Sequence, residues 1–566
     1  MTRTKAKLTA LLFIVAGLLA YIFFYAPGRG VRSRELDERF LSHLPPDTEG
    51  FFYFSLSSDS ARRYIGHPAY KKYMDSYQET IKATPLHSLM TSYFDVLSEL
   101  GFWPSGRGKF SPVLSDVLWM VLRSDDEKLE LGVIGRSAKN EGAPQILAGV
   151  KAVLERDQFA VEEVNVPAGS AITFQILTSP PPPELAQDPS TAAFALYWSL
   201  LGHTRIYVGA RGDLFVLTGS SELLAKLLSQ SSNDGIAPIL ESPSYTAFKQ
   251  RATKLPNDMG YGFINAERML ESLAKRYGAA LPGPLPELPV KTFALCYGGE
   301  DMLEGELQVE LYARNETQRE WIEVLSGLHP YSAFDSLPPK AAFALSVSGE
   351  LVRKAVKNAA PKGRSGEEAL TELAPLLDSE EVSVAVRGAS AGSMIPEVLA
   401  TVKTKEAAAL LTVIKRGVSS IVPGGADNNT LWKSQEIGGL SAEYMLTPFG
   451  AGIYLAQSNQ AGLLLSTAPS GIEQLAALNG KESLYKSMSG EIRNKLESHT
   501  SAWLIIDYEE LAALMESFKR SFMMFMPPDQ LKNFDMMENM RYLGKIGIGA
   551  SVTGGVLRIP MFQQFS

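Results

Sequence analysis

The sequence predicts an α+β protein: an N-terminal transmembrane helix followed by two duplicated lobes of antiparallel sheet covered by helices. Three observations carry this expectation. One uncharged apolar run lies at the start of the chain. After it, the same series of strand and helix patterns runs twice in the same order. The strands come at hairpin spacing, without the sustained β-α-β rhythm and Gly-rich βα turns of a doubly wound parallel sheet.

The apolar run comes first. Arg3, Lys5 and Lys7 precede LTALLFIVAGLLAYIFFY, the 18 uncharged residues Leu8–Tyr25. At ~1.5 Å per residue this is at the short end of a membrane span. Pro27 and Gly28 break the helix. A cleaved signal peptide is the competing explanation, but cleavage needs small residues before the cut. Cutting after Ala26 would put Phe24 at one such position, and cutting after Ala20 would put Leu18 there. The single cysteine, Cys296, is far from any lipobox. An uncleaved anchor is therefore expected. Arg29, Arg32 and Arg34 follow it, so basic residues flank both sides. The free amine tips the N-terminus into the cytoplasm, and a long domain can translocate despite nearby charge. This makes the chain a single-pass protein of the bacterial inner membrane, with residues from about 35 onward in the periplasm.

Charge fits that placement. The chain carries 54 Lys+Arg against 62 Asp+Glu, a net charge of −8, and the body after residue 34 carries −14. An acidic body stands off an acidic lipid surface, and it is no nucleic-acid binder. Hydrophobic residues make up 45% and charged residues 20%, which is ordinary globular composition. One cysteine excludes an intrachain disulfide framework and any Cys-based zinc site.

The first lobe opens at Leu44-Pro45-Pro46 and enters an apolar strand at Phe51–Phe54. The second opens at Leu337-Pro338-Pro339 and enters Ala342–Leu345. Each strand precedes a polar cap and a helical pattern. Hairpins follow at Ile206–Gly219 and Ile453–Thr467, with turns near Gly212-Asp213 and Asn459-Gln460. Helical patterns come next, at Ser221–Leu228 and Ser470–Leu478. Glu241-Ser242 and Glu482-Ser483 each open a helix with a tyrosine in its first turn, Tyr245 or Tyr485. Gly262–Leu273 and Leu504–Met515 then read as a strand ending in a capping Asn265 or Asp507, with a helix after it. Strand pairs close each lobe: Thr292–Tyr297 with Glu306–Tyr312, and Lys545–Val552 with Gly555–Met561. The residue offset between lobes shrinks mainly in one step, so the first lobe holds an insertion, with Tyr70–Leu100 and Pro180–Leu201 supplying much of it. The domains are thus 1–34 (anchor and flanks), 35–330 and 331–566. The helices are expected on one face of each sheet.

The L-P-P-D-T opening at Leu44–Thr48, the strand after it and the E-S-x-x-Y to N/D-capped helix pattern resemble an uncharacterised bacterial family known only as a domain of unknown function. Its members have one N-terminal anchor and a long extracytoplasmic body beginning with an L-P-A-D-T-like turn. The resemblance spans about 40–566. It implies the placement outside the cytoplasm, and it implies no catalytic residues.

Chemical motifs are sparse. G-x-S-x-G occurs at Gly388–Gly392, centred on Ser390, with Asp427 and His499 downstream in α/β-hydrolase order. That motif needs a strand, a sharp turn and a helix. Pro396–Val402 reads instead as a second strand, so a hairpin loop is expected. The six histidines lie at isolated positions, without H-E-x-x-H spacing. The paired acids, such as Asp125-Asp126 and Glu300-Asp301, read as turn residues. Gly544–Gly555 is a strand pair and no phosphate loop. Cys296, in an apolar strand, reads as a buried inert thiol.

One segment stands apart. Met523, Met524, Met526, Met536, Met537 and Met540 are interleaved with Phe518, Phe522, Phe525 and Phe534. Flexible, polarizable Met suits adaptable contact surfaces. A helix pair covering the second sheet, turning at Pro527-Pro528, is the plainer explanation. A partner- or lipid-facing groove is the functional one, with Phe518, Phe522 and the six methionines as contacts.

The sequence therefore predicts a non-enzymatic, membrane-anchored binding or scaffolding protein of the cell envelope. It would have no cofactor, no metal and no catalytic residues. Its partners would be the bilayer, through Leu8–Tyr25, and an envelope protein. The alternatives are a serine hydrolase using Ser390 and a carrier of a lipid or other apolar ligand.

Overall fold

The computed structural model describes residues 40–58, 61, 67–69, 72, 114–123, 129–137, 142–156, 159–167, 169–175, 205–229, 237–255, 257–269, 271, 290–299, 302–325, 334–359, 371, 373–388, 396–421, 431–446, 452–459, 462–478, 483–496, 502–522 and 540–564. The expected anchor Leu8–Tyr25 lies outside them. Among the described residues no helix is long and apolar enough to cross a membrane. The body is mostly antiparallel sheet with helices, an α+β architecture. It divides into two compact units, 1–309 and 310–566.

In unit 1 the strands are β1 (Thr48–Ser55), β2 (Leu114–Arg123), β3 (Leu129–Ser137), β4 (Glu162–Val164), β5 (Ser170–Gln175), β6 (Arg205–Arg211), β7 (Leu214–Thr218), β8 (Gly260–Ile264), β9 (Val290–Gly298) and β10 (Leu303–Leu311). Their order across the sheet is β4-β5-β6-β7-β3-β2-β1-β8-β9-β10.

In unit 2 they are β11 (Phe343–Ser348), β12 (Glu381–Arg387), β13 (Glu397–Lys403), β14 (Lys433–Ile437), β15 (Leu440–Leu446), β16 (Gly452–Ser458), β17 (Gly462–Ser466), β18 (Ala502–Asp507), β19 (Lys545–Thr553) and β20 (Val556–Gln564). Their order is β14-β15-β16-β17-β13-β12-β11-β18-β19-β20. Adding ten to each strand number of unit 1 reproduces unit 2. Unit 1 has the longer connections, at 56–113 and 176–204 against 349–380 and 447–451.

The helices are amphipathic, and their positions correct one expectation. Helix α1 (Ala143–Arg156) places Ile146, Leu147, Val150 and Leu154 on one stripe. That stripe packs on Val117, Val133, Val208 and Phe215. Helices α2 (Ser221–Ser229), α3 (Pro238–Glu241) and α4 (Pro243–Ala252) pack instead with Tyr53, Leu118, Ile134 and Val216. Val117 and Leu118 are strand neighbours and so point to opposite faces. Helices therefore cover both faces of the sheet, not one.

Unit 2 repeats this arrangement. Leu463 and Leu464, neighbours on β17, are both buried. Leu463 packs in a core with Leu410 and Leu411 of α5 (Ala407–Ile421). Helix α6 (Pro469–Ala477) packs on the same β16–β17 hairpin, burying Ile472 and Leu475. Burial on both sides needs near-continuous apolar strands. Leu463-Leu464-Leu465 on β17 is such a run.

Cys296 is fully buried on β9, and burial pushes its thiol up to about 12, as expected of an inert cysteine.

Candidate functional site

At one end of the unit 1 sheet, three adjacent strand ends meet the α3–α4 junction. The L-P-P-D-T turn leads in. Its Thr48 donates from both backbone N and side-chain Oγ1 to the Pro45 carbonyl, at 3.1 and 2.7 Å, which fixes the turn. Beside it, Ser242 caps α4 by accepting from the Tyr245 N–H at 3.2 Å. Pro243 at the first helical position has no N–H to leave unsatisfied. Directly after β8, Asn265 caps the turn of helix that follows, accepting from the Arg268 N–H at 3.3 Å. Lys291 and Thr292 follow Val290 at the start of β9.

These segments enclose a cleft of about 610 Å³, lined by Pro46–Glu49, Pro238, Ile239, Ser242–Ser244, Phe263, Asn265, Glu267, Arg268, Lys291 and Thr292. That volume is within the usual range for small-ligand sites. The lining is bipolar. Asp47 and Glu49 stand on the β1 side, while Arg268 and Lys291 stand on the β8–β9 side together with one acid, Glu267. Asp47 accepts from Lys226 Nζ at 2.8 Å. The Glu49 carboxylate lies 3.7 Å from the Arg268 guanidinium, an ionic contact longer than a hydrogen bond.

Glu49 is positioned by a β-bulge. Thr48 pairs with Leu122 and Gly50 with Val121, so Glu49 is the extra residue on β1. Bulges re-aim a side chain and recur beside functional sites. Here the bulge leaves Glu49 lining the cleft while only 4% of its surface is exposed. Gly50 next to it is required by close approach, since a Cβ there would stand 2.9 Å from Ile264 Cγ1.

The same frame exists in unit 2 with different charges. The Asn265 N–H donates to the Glu49 carbonyl at 2.8 Å, and the Asp507 N–H donates to the Ala342 carbonyl at 3.1 Å. These bonds make Ala342 the counterpart of Glu49. Asp507 also accepts from the Glu510 N–H at 3.4 Å, which makes Glu510 the counterpart of Arg268. Two residues before Ala342 stands Lys340, opposite in sign to Asp47, and its Nζ lies 4.0 Å from Glu510. The signs at these two positions are thus exchanged in unit 2, and the buried carboxylate is missing.

The other candidates fall elsewhere. Phe518 is half-buried on helix α7 (Tyr508–Phe522), whose last residue is Phe522. Met540 opens the 3-10 turn Met540–Leu543, which packs against α7. Met523, Met524, Met526, Met536 and Met537 lie outside the described residues, as do Ser390, Asp427 and His499. Strands β12 and β13 pair in antiparallel register with Arg387 opposite Glu397. G-x-S-x-G thus lies in the connection between paired strands, and the helix required after a nucleophile elbow is replaced by β13. Among the described residues no group of three His, Cys, Asp or Glu is placed to hold a metal.

Three of the cleft's segments stand out in the sequence alone: the opening turn, Ser242 and Asn265. Glu49, Arg268 and Lys291 do not, because only the strand register brings them together. No protein-family model matches the sequence, and no curated protein does. Among solved structures, crystal form III of TP0453 is similar at 12% identity and a TM-score of 0.25, over 52% of this chain and 89% of that one. A likeness that weak places neither the fold nor the activity of this chain.

Proposed function

We propose that this protein is a membrane-anchored, extracytoplasmic binding or scaffolding component of the bacterial cell envelope, acting without catalysis. The observation that carries the binding role is the cleft of unit 1, where a β-bulge places Glu49 in one lining with residues from three other segments. The 18-residue run Leu8–Tyr25, with its basic flanks, supports the tether. The two sheets of one strand order support an origin by duplication of a single α+β unit. The opening turn and the capped helices agree with the resemblance to the anchored family of unknown function. The envelope partner binds the body, and the bilayer holds Leu8–Tyr25.

Two measurements test this. In cell fractions the intact chain remains with membranes after alkaline extraction, and external protease removes its body from spheroplasts. Affinity purification from solubilised membranes then recovers an envelope protein, and recovery falls when Ser244, on the cleft rim, is replaced by Trp. Recovery of the intact chain in the soluble fraction contradicts the tether. A partner retained undiminished by Ser244→Trp contradicts the cleft.

A further inference from the structure

We infer that the unit 1 cleft takes the zwitterionic end of its ligand, an ammonium group and an oxyanion a few bonds apart. This inference rests on the binding role given to that cleft above. Its walls have opposite charge. Asp47 and Glu49 line one side, and on the other Arg268 and Lys291 outnumber the single acid Glu267. A ligand of one sign would gain from one wall and be repelled by the other, whereas a zwitterion satisfies both. The bulge places Glu49 at the bottom of the acidic side, and there a carboxylate only 4% exposed attracts an ammonium more strongly than a surface acid does.

Arg268 is built to move. Its side chain is 58% exposed, and it meets Glu49 at 3.7 Å. An incoming oxyanion can draw the guanidinium into a bidentate contact while the ammonium takes over the neutralisation of Glu49. The charge of the cleft is unchanged by this exchange, so no buried group is left uncompensated. Unit 2 has Ala342, Lys340 and Glu510 at the counterpart positions, so one ligand binds per chain.

Titration calorimetry on the full chain in a nonionic detergent tests this with two probes. O-phosphoethanolamine represents a lipid headgroup, and glycylglycine represents a peptide. At least one should bind saturably at one per chain, and the stronger of the two names the source. N-acetylation of that probe, Glu49→Gln and Arg268→Gln should each weaken binding at least about tenfold, the scale of one lost charge-assisted contact. Arg268 and Lys291 are not core residues, so Arg268→Gln and Lys291→Gln keep the test informative if Glu49→Gln fails to fold. Flat titrations with both probes overturn the inference. So does a stoichiometry of two, or binding that survives both Arg268→Gln and Lys291→Gln. If partner recovery from membranes persists while the titrations are flat, this inference fails and the binding role stands. Saturable binding of a probe with no partner recovered supports the inference and overturns the envelope-protein partner.

Discussion

The two sheets share one strand order yet fill equivalent positions with opposite materials. One row crosses unit 1 as Tyr261, Tyr53, Leu118, Ile134 and Val216 on adjacent strands. The matching row of unit 2 is Trp503, Ser346, Ser383, Thr401 and Leu464. In unit 1 the row is aromatic and aliphatic. Tyr53 lies 5.1 Å from Tyr261, and Phe51 packs edge-on to Tyr245 and Tyr261. Such pairs add stability beyond their buried area. In unit 2 the ends stay apolar and the three central members are buried hydroxyl residues. Ser346 and Ser383 both donate to Glu381 Oε1, at 2.8 and 2.6 Å, and Ser336 and Thr401 share a 2.7 Å bond. One contact pattern survives the change: Tyr53 Oη donates to Asp116 Oδ1 at 2.7 Å, as Ser346 donates to Glu381. The difference teaches that strand order is set by alternation and turns, whereas the core tolerates either apolar packing or a satisfied polar network.

The largest expected effect comes from giving unit 1 the residue of unit 2. Tyr53→Ser removes a buried ring and should destabilise unit 1 by about 3–5 kcal/mol, the range for large-to-small aromatic truncation. Urea unfolding followed by a probe in each unit checks this, and the unit 2 transition should not move. A shift shared equally by both would break the comparison.

Next is the ion pair of unit 2. Arg387 donates from Nε to Glu397 Oε2 at 2.6 Å, and Glu397 is 2% exposed at its side chain. Arg387→Met leaves that carboxylate buried without its guanidinium, and should cost about 2–4 kcal/mol, a little under a fully buried pair. The same unfolding assay reads it, now in unit 2 alone.

The helix caps should behave alike in both units. Ser242→Ala and Ser483→Ala each remove an acceptor for a first-turn N–H and should each cost about 1 kcal/mol. A clear inequality would sharpen the contrast, because Ser242 also donates to the Ile239 carbonyl at 2.8 Å whereas Ser483 donates to the Asp335 carboxylate at 3.3 Å.

Glu381 predicts a slope with pH. Burial raises its folded pKa above the ordinary carboxylate value, and the hydrogen bonds from Ser383 and Ser346 only partly oppose this. The protonated form is therefore favoured by folding. The stability it contributes is full below the unfolded value near 4.5 and is lost as pH rises through the folded pKa. Glu381→Gln should flatten that part of the unit 2 pH profile, and an unchanged slope would contradict the assignment. The smallest effect belongs to Lys340, an exposed residue 4.0 Å from Glu510. Lys340→Gln should change stability by less than about 1 kcal/mol.

How much of this can be read from the sequence follows from range. The hairpins at Arg211–Leu214 and Ser458–Gly462 and the caps Ser242, Ser483, Asn265 and Asp507 are local, and each is legible from a few residues. Two-sided helix cover departs from the one-sided expectation, although the unbroken run Val117–Leu122 signals it, since both parities are apolar. Glu49 is not legible. Its bulge depends on how β1 registers against β2, some seventy residues on, and no spacing within β1 marks it. Arg268 and Lys291 reach the cleft only because β8 and β9 follow β1 across the sheet, an order set by long-range pairing.

The proposed binding belongs to the unit 1 cleft and not to its counterpart in unit 2. A photo-crosslinking amino acid placed at Ser244 in one strain, and at Tyr485 near the matching cap of unit 2 in another, tests it in living cells. Binding confined to unit 1 predicts a discrete adduct from position 244 and none of that size from position 485. The same adduct from both positions, or from position 485 alone, would contradict it.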